Sequence, residues 1–178
     1  MVPASKSCPV FYLGASTGIN NSAGLFGINA DLPISAKVSI GAGVGASFWG
    51  NKTFLDATYY FRQCHRGWAV GAGVTRNSGM TDTRRKLHTT TGTETVTLDL
   101  KPKTNVFIAG YRFWSTGKRG NRIYLMLGWS AGVTNTKYVV RSGQQLTNDQ
   151  RNRIDAFSPG GLVIGAGFNF AFNSRKNN

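Results

Sequence analysis

Residues 162–172 read LVIGAGFNFAF. Leu162, Ile164, Ala166, Phe168, Phe170 and Phe172 take one set of alternate positions, and Val163, Gly165, Gly167, Asn169 and Ala171 the other. A repeat of two is the side-chain period of a β-strand. The segment is therefore a strand with one large apolar face and one face of mostly glycine and small polar groups. Which solvent each face meets decides the architecture.

The same division recurs along the chain. Ile40, Ala42, Val44, Ala46 and Phe48 alternate with Gly41, Gly43, Gly45 and Ser47, and Trp68, Val70, Ala72 and Val74 with Ala69, Gly71, Gly73 and Thr75. Leu55, Ala57, Tyr59 and Phe61 face away from Asp56, Thr58, Tyr60 and Arg62; Ile123, Leu125, Leu127 and Trp129 face away from Arg122, Tyr124, Met126 and Gly128. The segments VFYLGASTGIN and GLFGINADL alternate more weakly, and no helical period separates any of these strands.

Connections alternate in length. DLPI, QCHRG and WSTGKRGN are short; SGMTDTRRKLHTTTGTETV and TKYVVRSGQQLTNDQRNRIDAFS are long and polar, and NNSA and WGNK fall in register with the long set. Two unequal rims are the mark of an up-and-down barrel. One stretch, TVTLDLKPKTNVFIAGYRFW, changes parity across Lys101–Thr104. A bulge there gives one long strand and eight in all; a turn there, with a further strand near KYVV, gives ten. We take eight, with Pro102 in an extended stretch beyond the membrane band.

Glycine makes up 23 of 178 residues and charged residues 16%, well under the quarter or so usual for soluble domains, yet the net charge is +14. A face of glycine cannot be a water-solvated exterior. If the large residues face lipid instead, the small face becomes the narrow interior of an eight-stranded barrel. Lys37, Asp56, Tyr60, Arg62, Arg112, Arg122 and Tyr124 are then expected in the lumen, where opposite charges can pair. Trp49, Tyr59, Phe61, Trp68, Phe113, Trp114 and Phe172 near strand ends are expected to form interfacial girdles. No stretch is long and apolar enough for a membrane-spanning helix. The opening MVPASKSCPVF lacks the apolar core of a signal peptide, which implies a mature chain with an added Met1 or a protein that is not exported.

The chain resembles the small outer-membrane β-barrel family of Gram-negative bacteria, especially the barrel domains common in Bacteroidetes. SIGAGVGASFW, AVGAGV, VFIAGYRFW and the closing GLVIGAGFNFAF carry the resemblance. The last is similar to the signal read by the outer-membrane assembly machinery, with Phe168, Phe170 and Phe172 as its aromatics; here NSRKNN follows Phe172. The resemblance implies a single all-β domain over residues 9–173 between tails 1–8 and 174–178, an antiparallel transmembrane barrel in the outer membrane with its termini on the periplasmic side.

Functional chemistry is sparse. Arg84, Arg85, Lys86, Arg141, Arg151 and Arg153 lie in the two long connections and suit lipopolysaccharide phosphates, a surface ligand or an acidic partner in the envelope. The aromatics belong to the apolar face and do not interleave with these basic residues, so nucleic acid is not the expected partner. His65 and His88 sit in different connections with no carboxylate cluster, and no metal or cofactor is implied. Acyl transfer on lipid A would require a hydroxyl and a histidine in reach, and Ser78, His88 and Glu94 are the cluster to test. GAGVG lies within a strand and opens no helix, so it is packing and not a phosphate loop. The expected role is a non-enzymatic scaffold or binding protein; the competing roles are a lipid A-modifying enzyme and a soluble lipocalin-like carrier. Cys8 and Cys64 pair only if the N-terminal tail crosses the barrel opening; otherwise they are separate thiols.

Overall fold

The structure is a computed structural model and describes residues 8–89, 92–117, 119–133, 138–142, 148 and 158–173. Among the described residues eleven strands follow in order: β1 (Phe11–Ile19), β2 (Phe26–Pro33), β3 (Val38–Ser47), β4 (Gly50–Arg62), β5 (Arg66–Asn77), β6 (Met80–Thr89), β7 (Gly92–Leu100), β8 (Lys103–Thr116), β9 (Asn121–Gly132), β10 (Tyr138–Ser142) and β11 (Gly161–Phe172). Eight of them close an antiparallel barrel in the order β1-β11-β9-β8-β5-β4-β3-β2. The opening stretch is the closing strand: Phe172 pairs with Phe11 and Ile164 with Ile19.

The faces divide as the alternation requires. Leu127 and Ile108 are 61% and 59% exposed, while Tyr60 and Asn169 on the opposite face are at 1% and 0%. A continuous belt of exposed Leu, Ile, Val and Trp is the reverse of a water-soluble barrel, and its natural solvent is hydrocarbon. A tilted crossing takes about 9–11 residues; seven of the barrel strands have nine or more, and β2 has eight.

Three strands stand outside the barrel. β6, β7 and β10 form a separate sheet in the order β10-β7-β6, built from the two long connections. The barrel count of eight holds, but the single bulged strand expected over 96–113 does not. Lys101 and Pro102 separate β7 from β8, and β7 pairs with β6 and β10. Proline lacks the N–H that a continuing ladder needs, which is why the strand ends there.

Candidate functional site

The barrel interior is a packed polar network. Arg122 on β9 forms an ion pair with Asp31 on β2. Its Nη1 also donates to Tyr60 Oη at 2.9 Å and to the carbonyl of His65 at 3.4 Å. The guanidinium carbon lies 3.8 Å from the Tyr12 ring centroid and 4.4 Å from that of Phe113. Asn169 Nδ2 donates to Asp31 at 3.1 Å, Asn29 Nδ2 donates to Asn169 Oδ1 at 3.2 Å, and Ser39 Oγ lies 3.2 Å from Tyr60 Oη. The cation thus ties its own strand, β9, to four others of the barrel, β1, β2, β4 and β8. The cost of burying the pair is offset by these further hydrogen bonds, although Arg122 Nε has no partner among the described residues.

Above this network, Tyr60, Tyr111, Phe113 and Tyr124 pack ring on ring with centroids 5.2–6.1 Å apart. The void left beside them and Asp56 measures about 20 Å³. That is room for a water molecule and not for a solute.

The short-turn end is covered as well. Cys8 and Cys64 are joined in a disulfide with Cα atoms 4.9 Å apart. Since β2 and β3 lie between β1 and β4 in the barrel, the residues before β1 cross the opening to reach the β4–β5 turn. Pro9 is buried, and His65 in that turn is 1% exposed. His65 Nε2 lies 2.8 Å from the Ser35 carbonyl, which fixes the proton on that nitrogen, and burial pushes the imidazole below its ordinary pKa.

Of the residues expected in the lumen, Asp56, Tyr60, Arg122 and Tyr124 are there. Three are not. Lys37 is exposed in the β2–β3 turn, beyond the end of either strand. Arg62 follows a register shift after Tyr60, and the bulge turns it outward. Arg112 faces out between Trp68 and Trp114, 5.2 and 5.6 Å from their rings. On β8 the aromatic face, Phe107, Tyr111 and Phe113, is the lumenal one, so the expectation inverted there. A cation at a strand end between two indoles keeps its charge near headgroups and its stem in the belt. Phe113 therefore leaves the girdle, as does Trp49, which is buried with Nε1 donating to the Lys101 carbonyl at 2.8 Å. Tyr59, Phe61, Trp68, Trp114 and Phe172 are exposed, as are Phe170 and, in part, Phe168.

Sequence reasoning misses Asp31, which DLPI places in a short connection. The alternation of Ile28, Ala30 and Leu32 against Asn29 and Asp31 was the available signal. Tyr12 and His65 are missed too; the sequence places His65 in a short connection, with no sign of its burial.

On the long-connection side, Arg84, Arg85 and Lys86 lie on β6 and Arg141 on β10, so the two basic stretches flank β7 in one sheet. Arg84 pairs with Thr97, which pairs in turn with Ser142 beside Arg141. Arg151 and Arg153 lie outside the described residues. The cluster of Ser78, His88 and Glu94 is not brought together. Ser78 precedes β6 and spends its hydroxyl on Asn51 N–H and the Gly79 carbonyl, while His88 lies about 25 Å along that strand at its usual rise.

The chain is similar to a solved structure, the crystal structure of the N-terminal β-barrel domain of Pseudomonas aeruginosa OprF, with a TM-score of 0.50 and 17% identity over 93% of this chain and 100% of that one. The fold is that of an outer-membrane β-barrel. No protein-family model and no curated protein matches the chain. The likeness extends over the barrel architecture, and at this identity it speaks for the fold alone.

Proposed function

We propose that the chain is an integral outer-membrane protein of a Gram-negative bacterium and acts as a non-enzymatic scaffold or binding protein. Its basic long connections meet lipopolysaccharide phosphates, or an acidic partner in the envelope. The observation that carries this reading is the combination of a filled, strapped lumen with basic strands gathered on one side. Beside the packed rings of Tyr60, Tyr111, Phe113 and Tyr124 the lumen leaves a void of about 20 Å³, too small for a solute, so the work falls to the rims. At the long-connection rim, Arg84, Arg85, Lys86 and Arg141 belong to one three-stranded sheet, and arginines suit bidentate contacts with phosphate. A disulfide at the opposite rim fits an oxidising periplasm.

The test uses protein in phosphatidylcholine nanodiscs, titrated with lipopolysaccharide. The expected result is salt-sensitive capture that weakens about tenfold or more when Arg84, Arg85, Lys86 and Arg141 are replaced by Ser, about 1.4 kcal/mol in all. Capture that is unchanged in the variant would overturn the assignment to these strands. In planar bilayers the wild type should give no discrete conductance steps, and a steady open channel would contradict the closed lumen.

A further inference from the structure

A second site lies at the long-connection mouth and does not depend on the scaffold reading. Between the β1–β2 turn, the β3–β4 turn, the end of β5 and the residue before Gly160 is a cavity of about 190 Å³. Leu25, Phe48, Trp49 and Pro159 line its walls, with Lys52 and Asn77 among them. Lys52 and Asn77 are directly paired across β4 and β5, so their inward side chains sit side by side.

Both are buried, at 3% and 0% exposure, and neither is fully satisfied. Lys52 Nζ donates to the carbonyls of Asn21 at 2.8 Å and Asn20 at 3.2 Å, which leaves one N–H over. No carboxylate among the described residues pairs with it. Asn77 Oδ1 accepts from Ser47 Oγ at 3.0 Å, and its Nδ2 has no partner. An ammonium and an amide N–H, both withdrawn from water and both with capacity to spare, are costly unless an acceptor in the adjoining cavity meets them. Lys37 and Lys101 avoid this by staying at the surface, and the buried Lys103 donates to Ser158 Oγ at 2.8 Å.

The geometry points to a binding site for a small carboxylate with an apolar body. The carboxylate would take the remaining Lys52 N–H and Asn77 Nδ2, and the body would lie against Leu25, Phe48, Trp49 and Pro159. A cavity of about 150 Å³ accepts benzene, so this one suits a single-ring or short-chain acid and not a whole lipid. Inorganic phosphate would find the donors but nothing for the apolar walls.

The probe is 4-fluorobenzoate, followed by fluorine NMR with the folded protein in a neutral detergent, against empty micelles. Wild type should give saturable broadening. Lys52→Met, which keeps length and removes the charge, should weaken binding about tenfold or more, while Lys52→Arg retains most of it. The neutral 4-fluorobenzyl alcohol should bind at least about tenfold more weakly than the acid, and inorganic phosphate should not displace the acid. Heat-modifiable gel mobility checks that each variant is a closed barrel, and the acid should raise the unfolding temperature of wild type but not of Lys52→Met. Equal binding by Lys52→Met, equal binding of acid and alcohol, or no saturable signal would each overturn the site.

Discussion

Replacing Arg122 by Met tests whether the lumen is organised by charge or only by volume. Methionine fills much of the same space but removes the partner of Asp31, the donor to Tyr60 Oη and the donor to the His65 carbonyl. Asp31 is left with the Asn169 amide at 3.1 Å. Breaking one side of a buried pair costs about 3–5 kcal/mol, and the 15% exposure of the Asp31 side chain argues for the lower end, about 3. Loss of the guanidinium from the Tyr12 and Phe113 rings adds about 1. We expect a loss of about 4 kcal/mol in reversible urea unfolding from lipid, followed by tryptophan fluorescence. The double variant Asp31→Asn, Arg122→Met removes both charges and should recover part of the loss, with a coupling of about 2–3 kcal/mol. Additivity within about 0.5 kcal/mol, or a single-variant cost below about 1, would refute the claim that the pair acts as a unit.

Removing the disulfide with Cys8→Ser should cost about 2–4 kcal/mol, because the bond closes a separation of 56 residues, and should render the segment before β1 open to protease in detergent. His65 supplies a pH test. Its folded-state pKa lies below its unfolded value, so its contribution is complete above the unfolded value near 6.5 and is lost as pH falls toward the folded one. The wild type should therefore lose more stability than His65→Gln between about pH 7.5 and 5; equal slopes would locate the effect elsewhere. Gly167→Val places a Cβ about 2.5 Å from the Tyr124 ring and should cost about 1–3 kcal/mol, whereas Ala166→Leu one position along, on the lipid side, should fold normally by gel mobility.

The barrel was legible because seven of its eight strands obey one rule of alternation, and because the rims differ in length. The rule says which face is large and apolar, and β8 broke it. There both faces carry bulky groups, Val106 and Ile108 outward and Phe107, Tyr111 and Phe113 inward, so size alone could not assign Arg112. Arg62 was hidden by a bulge, which shifts parity without leaving a mark in composition. Asp31 and Arg122 lie on strands far apart in sequence, and only the closure of the barrel brings them together. The Cys8–Cys64 pairing was open for the same reason: separation around a barrel says nothing about what a tail can span across it. The strand β6 reads as a loop, and β10 as a strand only in the ten-stranded alternative with its strand near KYVV, because polar composition masks pairing that occurs outside the membrane belt, where no apolar face is needed.

The glycines of the lumen follow from the same closure. An eight-stranded barrel has a fixed, small interior, and this one places large side chains in it from β4, β8 and β9. Each needs an empty neighbour. Tyr124 stands directly opposite Gly167, and Phe54 opposite Gly43. Asp56 has Gly41 on one side and Gly73 on the other. A Cβ at Gly71 would lie 3.0 Å from the Tyr111 ring. The small face of β11 is thus not an absence of side chains but the complement of the aromatic face of β9, and exchanging the two partners of a pair, as in Gly167→Tyr with Tyr124→Gly, should be better tolerated than either change alone. Cross-strand pairing makes residues 162–172 readable only beside their neighbour: glycine at 165 and 167 states that Met126 and Tyr124 fill the space next to them.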